Sequence, residues 1–356
     1  MPKMWKQIAV IVAMGLSGNF APANAQQGGQ IVYLGIGGAT QDALRKAYFE
    51  PFQKETGIRV VEDTGLAAER IQVEVQSGHP TIDVTNISTA AYETLLAKGL
   101  LAPIDYKYYD PANLQSMPQG TIRAQYSVGS SYNSLGMSFS KAAFPDGKPQ
   151  PSSWVDFWDV AKFPGKRTLP YCGVLEGDWP LPEAALLADG VPADKLYPLD
   201  IPRAVRKLKQ LSPNVLWWKN PSQPGQYLVT NEAVMAMNSV GRTNNLIDSG
   251  APLQYVWNGA EVFSSKWIVM KGAPNYDNVM RFLAFVARPD RQVELALAIG
   301  YAPINPRAYE IMDKKAATRL STYPDNFKQT FQYDYRWWTD NLSKWTEACL
   351  SGLSGT

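Results

Sequence analysis

Apolar positions follow two different periods along this chain. Short, nearly continuous apolar runs predict strands, and segments whose apolar residues recur every three or four positions predict helices. The predicted strands are residues 31–34, 81–87, 134–140, 233–237 and 261–270. The predicted helices lie within residues 44–52, 71–75, 92–96, 154–158, 205–211, 279–286 and 333–350. Strands that alternate with helices in this way indicate an α/β protein.

The first 25 residues have a pattern of their own. Lys3 and Lys6 precede an apolar run over residues 8–16, which is too short to span a membrane. The sequence Ala23-Asn24-Ala25 then forms a small-x-small cleavage site. This pattern predicts a cleavable signal peptide over residues 1–25 and a mature protein in the periplasm. An uncleaved membrane anchor is the less favoured alternative because the apolar run is short.

Charge narrows the choice of partners. The chain has 356 residues with 34 Lys and Arg, 32 Asp and Glu and a formal net charge of +2. The predicted signal carries two lysines and no acid, so the mature charge is close to zero. A chain without a basic excess is not expected to bind nucleic acid or an anionic membrane surface. The mature length is sufficient for two lobes, each with its own core.

Residues that would support catalysis or cofactor binding are sparse. His79 is the only histidine, which argues against a Ser-His-Asp triad or a histidine metal cluster. The segment Gly35-Ile36-Gly37-Gly38 begins like a dinucleotide fingerprint, but Thr40 replaces the third glycine. We therefore expect no cofactor and no metal. Glu176 and Asp178 are a possible acid–base pair, and they keep a secreted hydrolase or lyase as an alternative.

The two cysteines are Cys172 and Cys349. In an oxidising compartment an isolated pair favours a disulfide, which would tie the end of the chain to its middle. Two buried free thiols are the other interpretation. The predicted export of the protein favours the disulfide.

Several segments together resemble a known family in both composition and order. They are FQKETGIRV at 52–60, DVTNIST at 83–89, GLLAPID at 99–105, SWVDFW at 153–158, PGK at 164–166, RPD at 288–290 and IGYAPINP at 299–306. With them the chain resembles the periplasmic solute-binding proteins of ABC importers, specifically the spermidine/putrescine-binding group. The resemblance runs over nearly the whole mature chain.

This resemblance implies an α/β fold of the two-lobed periplasmic binding protein type (type II), with the ligand cleft between the lobes. It implies that lobe one holds residues 26–137 plus 264–303 and that lobe two holds residues 138–263 plus 304–356. Both cysteines then fall in lobe two, so a disulfide would leave lobe closure free. The expected partners are a small-molecule ligand and an inner-membrane ABC permease, and we expect a monomer without enzyme activity.

The resemblance also implies a set of cleft residues, among which this chain departs from the polyamine pattern. Gly37-Gly38-Ala39-Thr40 stands where the group has an aromatic pair, and Ser265 stands where it has an acid. Arg242 adds a positive charge, whereas Lys266 is expected to point away from the cleft because neighbours on a strand face opposite ways. The expected ligand-binding residues are Gly38, Ala39, Thr40, Ser88, Glu176, Asp178, Trp179, Asn238, Arg242, Phe263, Ser264, Ser265 and Tyr301.

These departures favour a ligand that carries a carboxylate. Free backbone N–H groups before a helix and an arginine side chain both bind anions. We therefore expect an amino acid, an opine-like conjugate or an organic acid, with Glu176, Asp178 and Trp179 available to hold an amine. Binding of putrescine or spermidine is the alternative within the family. A sensor subunit that presents its closed form to a membrane receptor is a further alternative, which the sequence does not separate from transport.

Overall fold

The computed structural model describes residues 28–65, 67–120, 122–173 and 179–354. The predicted signal peptide lies outside the described residues, and so do Glu176 and Asp178.

One mixed sheet runs through the described part of the molecule. Its strands follow the order β2-β1-β3-β8-β4-β7-β5-β6, and β9 pairs with β8 beside this path. Their bounds are β1 (Gln30–Gly35), β2 (Arg59–Thr64), β3 (Val84–Ile87), β4 (Val128–Ser140), β5 (Arg167–Pro170), β6 (Val215–Trp218), β7 (Met235–Ser239), β8 (Leu253–Val269) and β9 (Phe331–Gln332).

Helices connect these strands. The first, α1 (Gly38–Leu44), continues through a π-helical turn (Arg45–Phe49) into α2 (Glu50–Thr56). The others are α3 (Ala67–Gln76), α4 (Thr89–Ala97), α5 (Pro111–Ser116), α6 (Trp154–Trp158), α7 (Leu181–Ala188), α8 (Ile201–Leu211), α9 (Gln223–Val229), α10 (Val240–Asp248), α11 (Tyr276–Val286), α12 (Pro289–Ile299), α13 (Ala308–Ile311), α14 (Lys314–Ala317), α15 (Pro324–Phe327) and α16 (Tyr335–Leu353). No helix in the described part of the chain is both long enough and apolar enough to cross a membrane.

Two long antiparallel strands, β4 and β8, join two parallel sections of the sheet. On one side β1 pairs with β2 and β3, and on the other β5 pairs with β6 and β7, all in parallel. The end of β8 pairs with β3, from Val84 opposite Val269 to Ile87 opposite Lys266. The end of β4 pairs with β7. Since β4 and β8 also pair with each other, they form a ribbon that crosses from one section to the other.

Each parallel section has its own aromatic core. In the first, which we call lobe one, Trp267 packs against Phe282 with ring centroids 5.4 Å apart. In the second, lobe two, Trp338 and Trp345 of α16 share a core with Trp154 of α6. The chain is therefore a two-lobed α/β protein, as the sequence predicts.

Near the expected lobe boundaries, a few residues pack in the core of the other lobe. Leu135 and Met137, which were expected in lobe one, lie in the core of lobe two. Ile304, which was expected in lobe two, lies in the core of lobe one, and the Asn305 side chain donates to the Ala287 carbonyl there.

Cys172 and Cys349 form the predicted disulfide. Their Cα atoms are 5.8 Å apart, and the bond joins α16 to the segment that follows β5. Both cysteines belong to the core of lobe two. The disulfide therefore does not cross the ribbon between the lobes.

Candidate functional site

A cavity of about 410 Å³ opens where β1 and β3 end in lobe one. Its wall includes Thr40, Ser88, Ser265 and Tyr301, four of the expected ligand-binding residues. The carboxyl ends of parallel strands are the usual place for ligands in α/β folds, because the following helices start there. The volume is also within the range of small-molecule sites.

The start of α4 brings Ser88 to this wall. The Ser88 side chain caps the helix by accepting a hydrogen bond from the Ala91 N–H at 3.3 Å. The same helix ends before Gly99, which has the positive φ of 66° that the sequence pattern anticipates for a stop. Capping at one end and a glycine at the other thus fix α4 and hold Ser88 at the cavity.

Tyr301 connects the cavity to lobe two. Its hydroxyl hydrogen-bonds with Thr40; burial raises the pKa of Tyr301, while the nearby charge of Arg242 and that hydrogen bond oppose the rise. Arg242 lies in the first turn of α10, and its side chain is exposed. The preceding Gly241 permits this approach, because a Cβ atom there would lie 2.8 Å from the Ile299 carbonyl oxygen. A tyrosine and a threonine therefore meet in the wall of the cavity, and the charge of Arg242 acts on that tyrosine, although Arg242 itself does not line the cavity.

The glycine turn before α1 is only partly open to a ligand. Gly37 and Gly38 have φ values of 75° and 69°, which favour glycine at both positions. The Gly37 N–H donates to Gln41 Oε1 at 2.8 Å, so this donor is used within the turn. Gly38 and Ala39 are exposed but do not line the cavity, whereas Thr40 does.

Neighbouring residues of β8 face opposite sides of the ribbon. Ser265 lines the cavity described above, and Ser264 with Lys266 lines another of about 570 Å³ behind the ribbon. The sequence predicts that Ser264 lines the ligand cleft, whereas the structure places it on the opposite face of the ribbon. Lys266 points away from the cleft as expected, but it is 2% exposed rather than solvated. Burial lowers the pKa of Lys266 to about 8.

Two expected cleft residues are buried in lobe two. The Trp179 ring packs against Trp218 with centroids 4.6 Å apart, so it forms part of the core instead of offering a face to a ligand. Asn238, at the end of β7, is fully buried, and its Oδ1 accepts a hydrogen bond from the Ser239 N–H at 2.9 Å. Its Nδ2 has no hydrogen-bond partner among the described residues.

The sequence interpretation missed three residues beside the cleft. Glu261, Tyr333 and Tyr335 enclose a gap of about 20 Å³ together with Ser88 and Phe263. The sequence contained a signal for Glu261. Alternate residues of a strand lie on the same face, and Glu261 precedes Phe263 and Ser265 at this spacing. The two tyrosines follow β9, whose pairing with β8 joins distant parts of the sequence and leaves no local signal.

Comparison with known proteins agrees with this architecture. The model of a family described as bacterial extracellular solute-binding protein matches residues 47–324. The chain belongs to this family. The solute-binding protein is 33% identical to a gamma-aminobutyric acid-binding protein of Pseudomonas aeruginosa over 330 residues, which cover 90% of each chain. It is 26% identical to a spermidine/putrescine-binding periplasmic protein of Salmonella typhimurium over 288 residues, 78% of this chain and 79% of the relative.

A solved structure gives the same result in three dimensions. The Atu4243-GABA receptor superimposes with a TM-score of 0.79 at 32% identity, covering 92% of this chain and 98% of the receptor. The solute-binding protein is thus a component of an ABC transporter with the type II two-lobed fold, as the resemblance implies. Proteins of this kind bind solutes and are not enzymes, which removes the hydrolase or lyase alternative.

Proposed function

We propose that this solute-binding protein captures a small solute that carries a carboxylate and delivers it to an inner-membrane permease. The observation that carries the proposal is the hydrogen bond between Tyr301 and Thr40 in the wall of the cavity, together with the positive charge of Arg242 that acts on Tyr301. An arginine can hold a carboxylate through two parallel hydrogen bonds, and hydroxyl groups donate additional ones. The gamma-aminobutyric acid named for two similar proteins also carries a carboxylate.

Arg242 is well placed for such a role. Its side chain is exposed, and no ion pair in the described part of the chain involves it. A polyamine would instead need acids, and Ser265 supplies a hydroxyl at the position where the resemblance implies one. These features favour a carboxylate over a polyamine.

Lobe closure accounts for capture. We infer that residues 26–137 plus 264–303 and residues 138–263 plus 304–356 move largely as two bodies, apart from the few residues near the boundaries that pack in the other core. The ribbon of β4 and β8 acts as the hinge, since both lobes are continuous with it. Ligand contacts from both lobes stabilise the closed form. The protein acts as a monomer in the periplasm after removal of residues 1–25.

Calorimetry with a ligand panel tests the proposal. Mature protein is titrated with gamma-aminobutyrate, glutamate, succinate, an opine and putrescine, and we expect binding by at least one carboxylate and none by putrescine. Arg242→Ala should weaken that binding by about tenfold or more, because it removes a charge-assisted contact. Arg206→Ala, which removes an exposed arginine of α8, serves as the control. Tight putrescine binding, or an unchanged affinity in Arg242→Ala, would contradict the proposal.

A further inference from the structure

Helix α10 of lobe two lies against helix α12 of lobe one beside the ribbon. Leu246 of α10 packs against Ala236 of β7 in lobe two, and Leu295 of α12 lies in the aromatic core of lobe one. The two helices come close at Gly241 and Gly300, where a Cβ atom on Gly300 would lie 3.3 Å from the Gly241 Cα atom. The lobes therefore touch at a point outside the paired strands of the ribbon.

A second element joins the same two helices. We call residues 303–323, which include α13 and α14, the connecting segment. Arg307 Nη1 of this segment donates to Asn113 Oδ1 of α5 at 3.1 Å, and Leu320 packs against Ala296 of α12. The boundaries proposed above place most of the segment in lobe two, yet these contacts attach it to lobe one. A bond from it to α10 therefore links the two lobes.

Arg319 makes that bond in several parts. Its guanidinium donates to the Asn244 carbonyl at 3.2 Å and to Asn244 Oδ1 at 3.4 Å, and it forms an ion pair with Asp248 at 2.7 Å. Asn244 Nδ2 donates in return to the Arg319 carbonyl at 3.2 Å. Bonds in both directions, to side chains and to backbone, fix the orientation of α10 more closely than a single ion pair would.

These contacts form a line that begins at the ribbon and extends along α10; we call it the contact line. At the ribbon, Ala302 pairs with Tyr132 of β4. The close approach at Gly241 follows in the first turn of α10, and the ion pair of Asp248 lies about 10 Å farther along the helix. Two bodies joined at one point can both bend and twist, whereas a second point of attachment leaves rotation about the line through both.

We propose that Arg319 restricts lobe movement to rotation about the contact line and is in this way a positioning residue for capture. Rotation about the line keeps its contacts in place, whereas a twist moves Asp248 away from Arg319 first, because this pair is farthest from the ribbon. Fewer wrongly oriented open forms leave a larger fraction of the protein able to close on a solute. The inference rests on the lobe closure proposed above and adds the direction of its axis.

Distance measurements on the unliganded protein test this inference. Spin labels are placed with Lys54→Cys in α2 and Lys209→Cys in α8, two exposed positions in different lobes. Both native cysteines are bonded to each other, so only the introduced ones react. Double electron–electron resonance then gives the distribution of interlobe distances. Arg319→Ala should raise the population outside the main distance by about fivefold, as expected for loss of partly exposed bonds. An unchanged distribution would overturn the inference.

Arg203→Ala is a matched control. The Arg203 side chain is 38% exposed against 33% for Arg319, and its guanidinium donates to both the carboxylate and the carbonyl of Asp189 within lobe two. This variant should lose local stability as Arg319→Ala does, but its distance distribution should stay the same. Equal broadening in the two variants would indicate a general loosening of the fold and would also overturn the inference.

Asp248→Ala decides the matter if Arg319→Ala does not fold. It removes only the outermost contact, so it should broaden the distribution by a smaller factor while the bonds to Asn244 remain. An unchanged distribution in this variant would then overturn the inference. The measurement needs no ligand, which keeps it separate from the proposed function. If no member of the ligand panel binds, the proposed capture fails, and the distance distribution still decides the role of Arg319.

Discussion

Glu183 is an acid in a setting where acids are rarely found. It lies in α7, fully buried, and accepts hydrogen bonds from the Tyr197 hydroxyl at 2.6 Å and from Trp338 Nε1 at 2.9 Å. Burial raises the pKa of Glu183 to about 7, although both hydrogen bonds act in the opposite direction. Folding is therefore easier when this carboxyl is protonated.

Stability should depend on pH through this residue. Between the ordinary pKa of 4.5 and the folded pKa of about 7, the unfolded chain loses the proton first, so the unfolding free energy falls as pH rises. The loss amounts to about 3 kcal/mol and is complete above the folded pKa. Glu183→Gln should remove this loss. Urea unfolding at about pH 5 and about pH 8 measures it, with exposed Glu347→Gln of α16 as control. An unchanged pH dependence in Glu183→Gln would refute the assignment.

The strand β8 contains an irregularity that sets its register. Its pairing with β4 passes from Val256 opposite Met137 to Glu261 opposite Leu135. Gly259, between these pairs, has a φ of 72°, and its carbonyl accepts a hydrogen bond from Trp154 Nε1 at 2.7 Å. The irregularity thus decides which residues of β8 face the cleft.

Substitution of Gly259 should be costly. A Cβ atom there would lie 2.8 Å from Trp154 Cδ1 in addition to the unfavourable φ. We expect Gly259→Ala to lower the unfolding free energy by about 2–4 kcal/mol. Gly250→Ala is a matched control, because Gly250 also has a positive φ of 92° but open space where the Cβ would be. It should cost only about 1 kcal/mol. Equal losses in the two variants, measured by urea unfolding, would show that packing at Gly259 contributes nothing.

The elements were predictable where their pattern was local. The strand–helix alternation, the helical tail and the disulfide all follow from the sequence. The strands of the ribbon were predicted too short, since β4 begins at Val128 and β8 at Leu253, well before the predicted 134 and 261. Their first residues include many polar ones, which are held in strands by pairing across the ribbon. The same long-range pairing concealed Tyr333 and Tyr335.

At the scale of the molecule, one ribbon separates two cavities. The cleft lies on one face, and the larger cavity behind the ribbon is lined by residues of both lobes, such as Glu93 and Tyr197. In the proposed closure, rotation about the ribbon would change both spaces together. The disulfide lies within lobe two, apart from this movement.

Removal of the disulfide should therefore affect stability and not closure. We expect the double variant Cys172→Ser, Cys349→Ser to lose about 2–5 kcal/mol of unfolding free energy, because the bond closes a long loop. The decrease in the radius of gyration on addition of ligand should be the same as in the unmodified protein. X-ray scattering with and without ligand measures it. A smaller decrease in the variant would mean that the bond takes part in the movement.

Alternation along β8 has an evolutionary consequence. Ser265 borders the cavity that we propose for the solute, and Glu261 and Phe263 border the small gap beside it, whereas Ser264 and Lys266 border the space behind the ribbon, which Phe263 also reaches. Substitutions at these three positions change the walls of these spaces, while the pairing of β8 with β3 and β4 is made by backbone groups. Relatives that import different nutrients should diverge first at these odd-numbered sites. Substitutions on a single strand would in this way change the ligand specificity of a fold that otherwise stays the same.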